Sequence, residues 1–435
     1  MKKITITSIF ITISIVCDCQ TWLPLDGGIS WQGDIVSSTA YGILGDTVNH
    51  VLYADGYFDT AGNVYAYKCA KWDGATWSAM STQDEGHANF LIFNGELYLA
   101  GDQVQKWNGS DWDLVDPYFN EPGASLIEYN GQLVAGGGFT SAGAVSVKGL
   151  AVLDSDNLWQ AFPVGGVTNS GGYSPPYISR MAIYNGDLIV GGDFDSAGGV
   201  ACNSIARWDG NQWHSLGNGV TSSGPVANVL ALGVYLDTLY VAGSFDTAGE
   251  AYCLDFAKWD GMQWHAVDNP TNFFPKSFKV HNGFLYAGGT SVGNAYKIRR
   301  FDGQVWTNLT NSFTGTVFSI DILDDVLYAG GSFILFTPND TIHNIAMLDI
   351  VTGEWRPLPK VGIGIFPNPA NDKITIKLES QPYLREVNII NSLGSTVMVK
   401  TFRSKSQETI DIRNLASGIY FIKFGYGEVR KFVKE

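Results

Sequence analysis

The stretch LYVAGSFDTAG, Leu239 to Gly249, decides the fold, because the chain repeats it. Versions of its Leu-Tyr-x-Ala-Gly core begin at Leu52, Leu97, Leu133, Leu188, Leu285 and Leu327. The copies run on to tryptophans at Trp77, Trp112, Trp159, Trp213, Trp264, Trp306 and Trp355, which makes seven copies with Leu239 included. Self-similarity at a period of roughly 40 to 50 residues means stacked or ringed units, none of which can bury its apolar face alone. With 51 glycines, 13% aromatic and only 16% charged residues, the repeats are built for strands and tight turns rather than helices.

Two turn signals per repeat set the strand count. The first is Asn-Gly, at Asn94-Gly95, Asn130-Gly131, Asn185-Gly186 and Asn282-Gly283, with Asp324-Asp325 standing in later. Asn-Gly accepts the positive φ angles of a two-residue hairpin turn, so it joins a first strand to a second. The second is Asp-Gly or Asn-Gly after an aromatic residue, as in Trp72-Asp73-Gly74, Trp107-Asn108-Gly109, Trp208-Asp209-Gly210, Trp259-Asp260-Gly261 and Phe301-Asp302-Gly303; it joins a third strand to a fourth. An open solenoid would not need paired hairpins in every repeat. The expected fold is therefore all-β: a seven-bladed β-propeller of four-stranded antiparallel blades over residues 20–360. Gly-Gly doublets at Gly136-Gly137, Gly191-Gly192, Gly288-Gly289 and Gly330-Gly331, each followed by an aromatic residue and then Trp, resemble kelch-like repeats, although Leu153-Asp154 and Leu348-Asp349 replace Trp-Asp. Trp22-Leu23-Pro24-Leu25 duplicates the ending Trp355-Arg356-Pro357-Leu358 with no complete repeat before it. It reads as the strand that closes the ring.

Lys2 and Lys3 ahead of the apolar run Ile4 to Val16 read as a secretory signal peptide over residues 1–19. The run is too short to span a membrane, and no other stretch has 18 consecutive apolar residues, so no transmembrane segment is expected. Cleavage leaves Cys69, Cys202 and Cys253, which read as buried free thiols, since equivalent positions on neighbouring blades lie too far apart to bridge. The net charge of −15 is uneven: residues 361–435 hold 11 basic against 7 acidic side chains, leaving 16 against 35 before them. An acidic body without a basic stripe disfavours phosphate backbones, so no nucleic-acid partner is expected.

Composition shifts at residue 361. Strands expected at Lys373 to Leu378, Val387 to Asn391, Thr409 to Ile412, Ile419 to Phe424 and Glu428 to Val433 make a small Ig-like β-sandwich over residues 361–435. The ordered set PNPAND, VNIINSLGSTV, LASGIYFIKF and VRKFVKE resembles the type A C-terminal sorting domain of the Bacteroidetes type IX secretion system. Its recognisable positions are Pro367, Asn368, Pro369, Gly418, Tyr420 and Lys431. The resemblance implies the type IX secretion machinery as partner, and a product that crosses the periplasm to be secreted or held at the outer-membrane surface.

Nothing in the sequence points to a catalytic set, a metal or a cofactor. Asp59, Asp195 and Asp246 of the Phe-Asp-Thr/Ser-Ala-Gly segments stand one per blade, as Asx turns do, whereas a calcium loop gathers several ligands in one segment. His214 and His265 hold repeat positions, and the blade-ending tryptophans pack between sheets. The leading expectation is a propeller that binds a glycan or protein ligand; the alternatives are an extracellular enzyme acting on polysaccharide and a structural surface-layer protein. Variable loops on a rigid scaffold carry binding, so the candidate ligand-binding residues are Tyr118, Phe119, Tyr173, Tyr177, Phe273 and Phe274, on the face opposite the Asn-Gly turns.

Overall fold

The computed structural model describes residues 22–34, 36–80, 89–170, 175–224, 227–267, 273–291, 297–309, 313–336, 341–350, 363–378, 386–391, 396–401, 407–424 and 429–435. Alternating apolar runs and tight turns give the chain its strands, and no described residue is helical. Among the described residues up to residue 350 there are seven four-stranded antiparallel sheets. Their first strands are Thr39–Asp46, Asn89–Phe93, Gly123–Tyr129, Tyr177–Tyr184, Asn228–Tyr235, Phe273–His281 and Phe313–Leu323. Each first strand neighbours the next, and the last lies beside the first, so the sheets are the blades of a closed β-propeller.

The fifth blade shows how sequence becomes sheet. Asn228–Tyr235 pairs with Thr238–Ser244, which pairs with Phe256–Trp259, which pairs with Trp264–Ala266. Its first turn is Leu236-Asp237, with φ of 44° and 56°, the same left-handed pair that Asn-Gly adopts elsewhere, in residues that give no turn signal of their own. At the outer hairpin Trp259 sits opposite Trp264, with ring centroids 5.3 Å apart. The Asp260 carboxylate accepts the Met262 and Gln263 amides, both at 2.8 Å, so the side chain itself builds the turn. Trp264 Nε1 donates to the Leu216 carbonyl of the preceding blade at 2.7 Å, as Trp112 does to Met80 and Trp77 to Leu25. These bonds place the blade-ending tryptophans in the packing between sheets.

The seventh blade takes its fourth strand from the other end of the chain. Trp22–Pro24 pairs with Thr341–Asp349, Trp22 opposite Leu348 and Pro24 opposite Ala346. The fourth strand expected from the last repeat's own Trp355 falls outside the described residues. Trp22 packs edge-on against Phe313 in the seventh blade, while Leu25, fully buried, belongs to the core of the first. The segment thus fastens one blade to the other.

The Phe-Asp-Thr-Ala-Gly segments are more than loops. Thr247–Ala248 turns back on Ala251–Tyr252 and also pairs with Val220–Thr221 from the link between blades. The same small sheet forms around Thr60–Ala61 and Ser196–Ala197. Asp246 accepts the Ser223 amide at 2.8 Å and Asp195 the Ser170 amide at 2.7 Å, so these carboxylates tie the link to the hairpin. In the third blade the roles reverse: Asn120 Oδ1 on the link accepts the Thr140 and Ser141 amides, at 2.9 and 2.8 Å.

The C-terminal residues form two antiparallel sheets. One orders Ile363–Phe366, Lys373–Leu378 and Gln407–Asp411; the other orders Thr396–Thr401, Glu386–Asn391, Gly418–Phe424 and Val429–Lys434. Both contribute to one core that includes Ile374, Ile389, Ile410, Ile422 and Phe432. Ile363–Phe366 and Thr396–Thr401 are additions to the strands expected from sequence.

Candidate ligand site in the central channel

Six of the seven first strands carry a β-bulge at one place. The ladder to the second strand skips Tyr41, Ala124, Ser179, Leu230, Lys276 and Phe318, and runs unbroken only in the short second blade. A bulge bends its strand and re-aims the side chains beside it. The glycines of the second strands make room for it. A Cβ on Gly192, Gly243 or Gly289 would lie 1.9, 1.9 or 2.1 Å from the carbonyl oxygen two residues before the bulge. The other glycine of a doublet faces the next blade: a Cβ on Gly191 would meet Val229 at 2.5 Å, and one on Gly288 would meet Ile320 at 2.7 Å. Each Gly-Gly doublet therefore serves one bulge and one contact between blades.

The bulges surround a cavity of about 190 Å³ in the ring's centre. Tyr41, Lys276 and Phe318 line it from bulge positions, and Arg180 and Ser319 line it from positions just after a bulge. Tyr41 and Phe318 meet at a ring-centroid distance of 5.6 Å. Arg180 Nη1 donates to the Ser179 carbonyl at 2.7 Å, and among the described residues no carboxylate lines the cavity. Burial pulls the Lys276 ammonium below its ordinary pKa, with Asp255 opposing and Arg180 adding to the effect; burial also lowers Arg180, against Tyr177. The cations are thus disfavoured by desolvation and, at Lys276, by each other's charge.

The six candidate residues do not converge on one site. Tyr118 is 59% exposed on the link before the third blade. Phe119 is buried: its backbone bridges Ala142, and its ring stacks on Phe139 at 3.9 Å and tilts onto Trp159 at 5.1 Å. Phe273 is fully buried at the start of its strand, under the Arg299 guanidinium. Both were expected on exposed loops, but their places in a ladder turn the rings inward, and neither has a free face. Tyr177 and Phe274 are half-buried first-strand residues, and Tyr173 lies outside the described residues. Sequence reasoning missed Arg180 and Lys276. The available signal was a cation at the fourth place of the apolar strand starts Tyr177-Ile178-Ser179-Arg180 and Phe273-Phe274-Pro275-Lys276.

Other polar side chains pair within and between the blades. His214 and His265 pair across their own outer hairpins with Asp209 and Asp260, each at 2.7 Å. His50 and His281 pair with Asp324 and Asp325 on the seventh blade, at 2.7 and 2.6 Å. Cys69, Cys202 and Cys253 are buried free thiols. Among the described residues no group of three or more His, Cys, Asp or Glu is placed to hold a metal. In the C-terminal unit Asn368 accepts the Val433 amide at 2.9 Å and donates to the Lys431 carbonyl at 3.2 Å, which ties the Pro367–Pro369 turn to the last strand. Tyr420 stacks on Phe432 and donates its hydroxyl to the Ala416 carbonyl at 2.9 Å.

Residues 364–435 match the family described as a secretion system C-terminal sorting domain, and residues 177–325 match the Rax2 C-terminal beta propeller domain. The chain thus joins a propeller to a sorting domain that directs export through the type IX secretion system to the cell surface or the outside. No helix among the described residues is long and apolar enough to cross a membrane. An endo-acting ulvan lyase of Formosa agariphila is 24% identical over 255 residues, 53% of this chain and 47% of the lyase, so the chain spans about half the length of the curated relative it matches. Among solved structures, PorZ of Porphyromonas gingivalis, a surface component of the type IX secretion system, is 12% identical, with a TM-score of 0.43 over 93% of this chain and 60% of PorZ. The extracellular domain of BT4673 from B. thetaiotaomicron is 13% identical, with a TM-score of 0.49 over 95% of this chain and 57% of that one.

Proposed function

We propose that this exported propeller binds a glycan or protein ligand at its central channel. The observation that carries the reading is the cavity itself: strands of six blades line it, and bulges aim Tyr41, Lys276 and Phe318 into it. At about 190 Å³ it is below the roughly 300–1,000 Å³ of sites that enclose a drug-sized ligand, so it takes one group of a ligand while the rest lies across the ring. Tyr118 and the half-buried Tyr177 and Phe274 are then outlying contacts. The binding unit is residues 20–360, after a signal peptide at residues 1–19; residues 361–435 are the sorting unit, whose motif positions are Pro367, Asn368, Pro369, Gly418, Tyr420 and Lys431.

The test uses the full secreted chain on arrays of glycans and of extracellular proteins, beside the variant Phe318→Ala. Capture of a ligand by the wild type and its loss in a folded variant is the expected result. Equal capture by both places binding elsewhere. A second reading, an extracellular enzyme acting on polysaccharide, is favoured by the likeness to the ulvan lyase. Incubation with ulvan, followed by detection of the double bond that a lyase leaves in its product, separates the two.

A further inference from the structure

We propose that the central cavity is an oxyanion site, which takes a carboxylate or sulfate group carried on a sugar ring. The inference rests on the reading that the channel binds a glycan. Four lining groups present donors that the acceptors among the described residues do not use up. Arg180 has one bond, to the Ser179 carbonyl, and the other N–H groups of its fork remain. Lys276 has no carboxylate within 4 Å among the described residues. Ser277 Oγ accepts the Ile320 amide at 2.9 Å, and Ser319 Oγ accepts the Ile43 amide at 3.2 Å. Each serine oxygen thus serves as an acceptor to the next blade, and its own hydrogen is left to donate.

The charge pattern points the same way. The body of the chain is strongly acidic, with 16 basic against 35 acidic residues before residue 361, yet among the described residues no Asp or Glu lines this cavity and two cations do. Arg180 repels the Lys276 ammonium in a partly desolvated space, Asp255 offsets part of the cost from outside the lining, and an anion between the two cations adds to that relief. A guanidinium fork and an ammonium beside hydroxyl donors suit the several oxygens of a carboxylate or sulfate. The aromatic faces of Tyr41 and Phe318 in the same wall suit the C–H face of a sugar ring. The volume admits one such ring and leaves no room for the run of side chains of an acidic peptide.

Titration calorimetry of the full secreted chain with D-glucuronate, glucose 6-sulfate, glucose and an Asp/Glu-rich peptide tests the proposal. Tighter binding of either acidic sugar than of glucose is expected, and which one binds tells carboxylate from sulfate. Arg180→Gln and Lys276→Gln should each weaken it by about ten- to a hundred-fold, with Lys276→Arg close to wild type. Equal binding of glucose, preference for the peptide, or indifference to both glutamine variants overturns the inference. Neutral-glycan binding that ignores the cations, or capture of a protein ligand alone, leaves the proposed function standing and removes only this one; no ligand captured on either array removes both. Should the variants fail to fold, inorganic sulfate must displace the acidic sugar from the wild type, and its failure to do so also overturns the proposal.

Discussion

Replacing Trp22 by alanine should open the ring. The indole is only 5% exposed and lies in a core with Phe313, Leu327, Ile342 and Leu348, and its strand is the fourth of the seventh blade. Removing a buried tryptophan costs about 3–5 kcal/mol, through lost transfer energy and the cavity left behind. At about 2.1 cal/mol/K per residue, a unit of roughly 330 residues has an unfolding entropy near 0.7 kcal/mol/K, so Trp22→Ala should lower the Tm by about 4–7 °C. Phenylalanine provides the control. Trp22 Nε1 is buried with no hydrogen-bond partner among the described residues, so Trp22→Phe discards an unmatched donor and keeps most of the packing; its cost should stay under about 1.5 kcal/mol. Trp77 differs, because its Nε1 donates to Leu25 at 3.0 Å, and Trp77→Phe should cost more than Trp22→Phe. Melting of the full mature chain followed by circular dichroism measures all three. A Trp22→Ala variant within about 1 °C of wild type refutes the reasoning, since a strand that closes the ring cannot lose its anchor at no cost.

Gly289→Ala should weaken both fold and site, because the added Cβ would lie 2.1 Å from the Phe274 carbonyl and push on the bulge at Lys276; a variant that melts and binds like wild type contradicts the role given to the doublet. Deleting Arg430 to Glu435 removes most of the last strand of the sorting unit and should trap the chain in the periplasm, whereas truncated protein at the cell surface, seen by protease accessibility, counts against export by this domain. Acid should destabilise the blades. His214 and the backbone amides of Gln212 and Asn211 hold Asp209 well below 3.8, and the Thr76 and Ala75 amides lower Asp73. Carboxylates lowered by folding add stability above the unfolded value and lose it as pH falls through the folded one, so the Tm should hold to about pH 5 and drop below pH 3.8. An unchanged Tm at pH 3 speaks against that linkage.

The repeat unit and the strand pairing were legible because glycine and the Asx residues announce turns through backbone geometry that few other residues accept. Leu236-Asp237 forms the same turn silently; there the flanking ladder imposes the conformation. The Gly-Gly doublets were visible as a pattern, but their reason, a bulge across the ladder and a neighbouring blade behind it, is a contact between distant segments. The candidate site fared worse for that cause. Phe119 and Phe273 look like loop aromatics in sequence, yet their facing is set by register, and a shift of one residue reverses it. Arg180 and Lys276 lie 96 positions apart and meet only because the ring closes.

The claim on which the functional account depends is that the channel holds the ligand. A crystal structure of the mature chain, soaked with the strongest hit from the arrays, tests it most directly. The account predicts density for one group of that ligand between Arg180 and Lys276, within hydrogen-bond reach of Ser277 and Ser319. Density on the outer faces of the blades, with the channel holding only water, would contradict it.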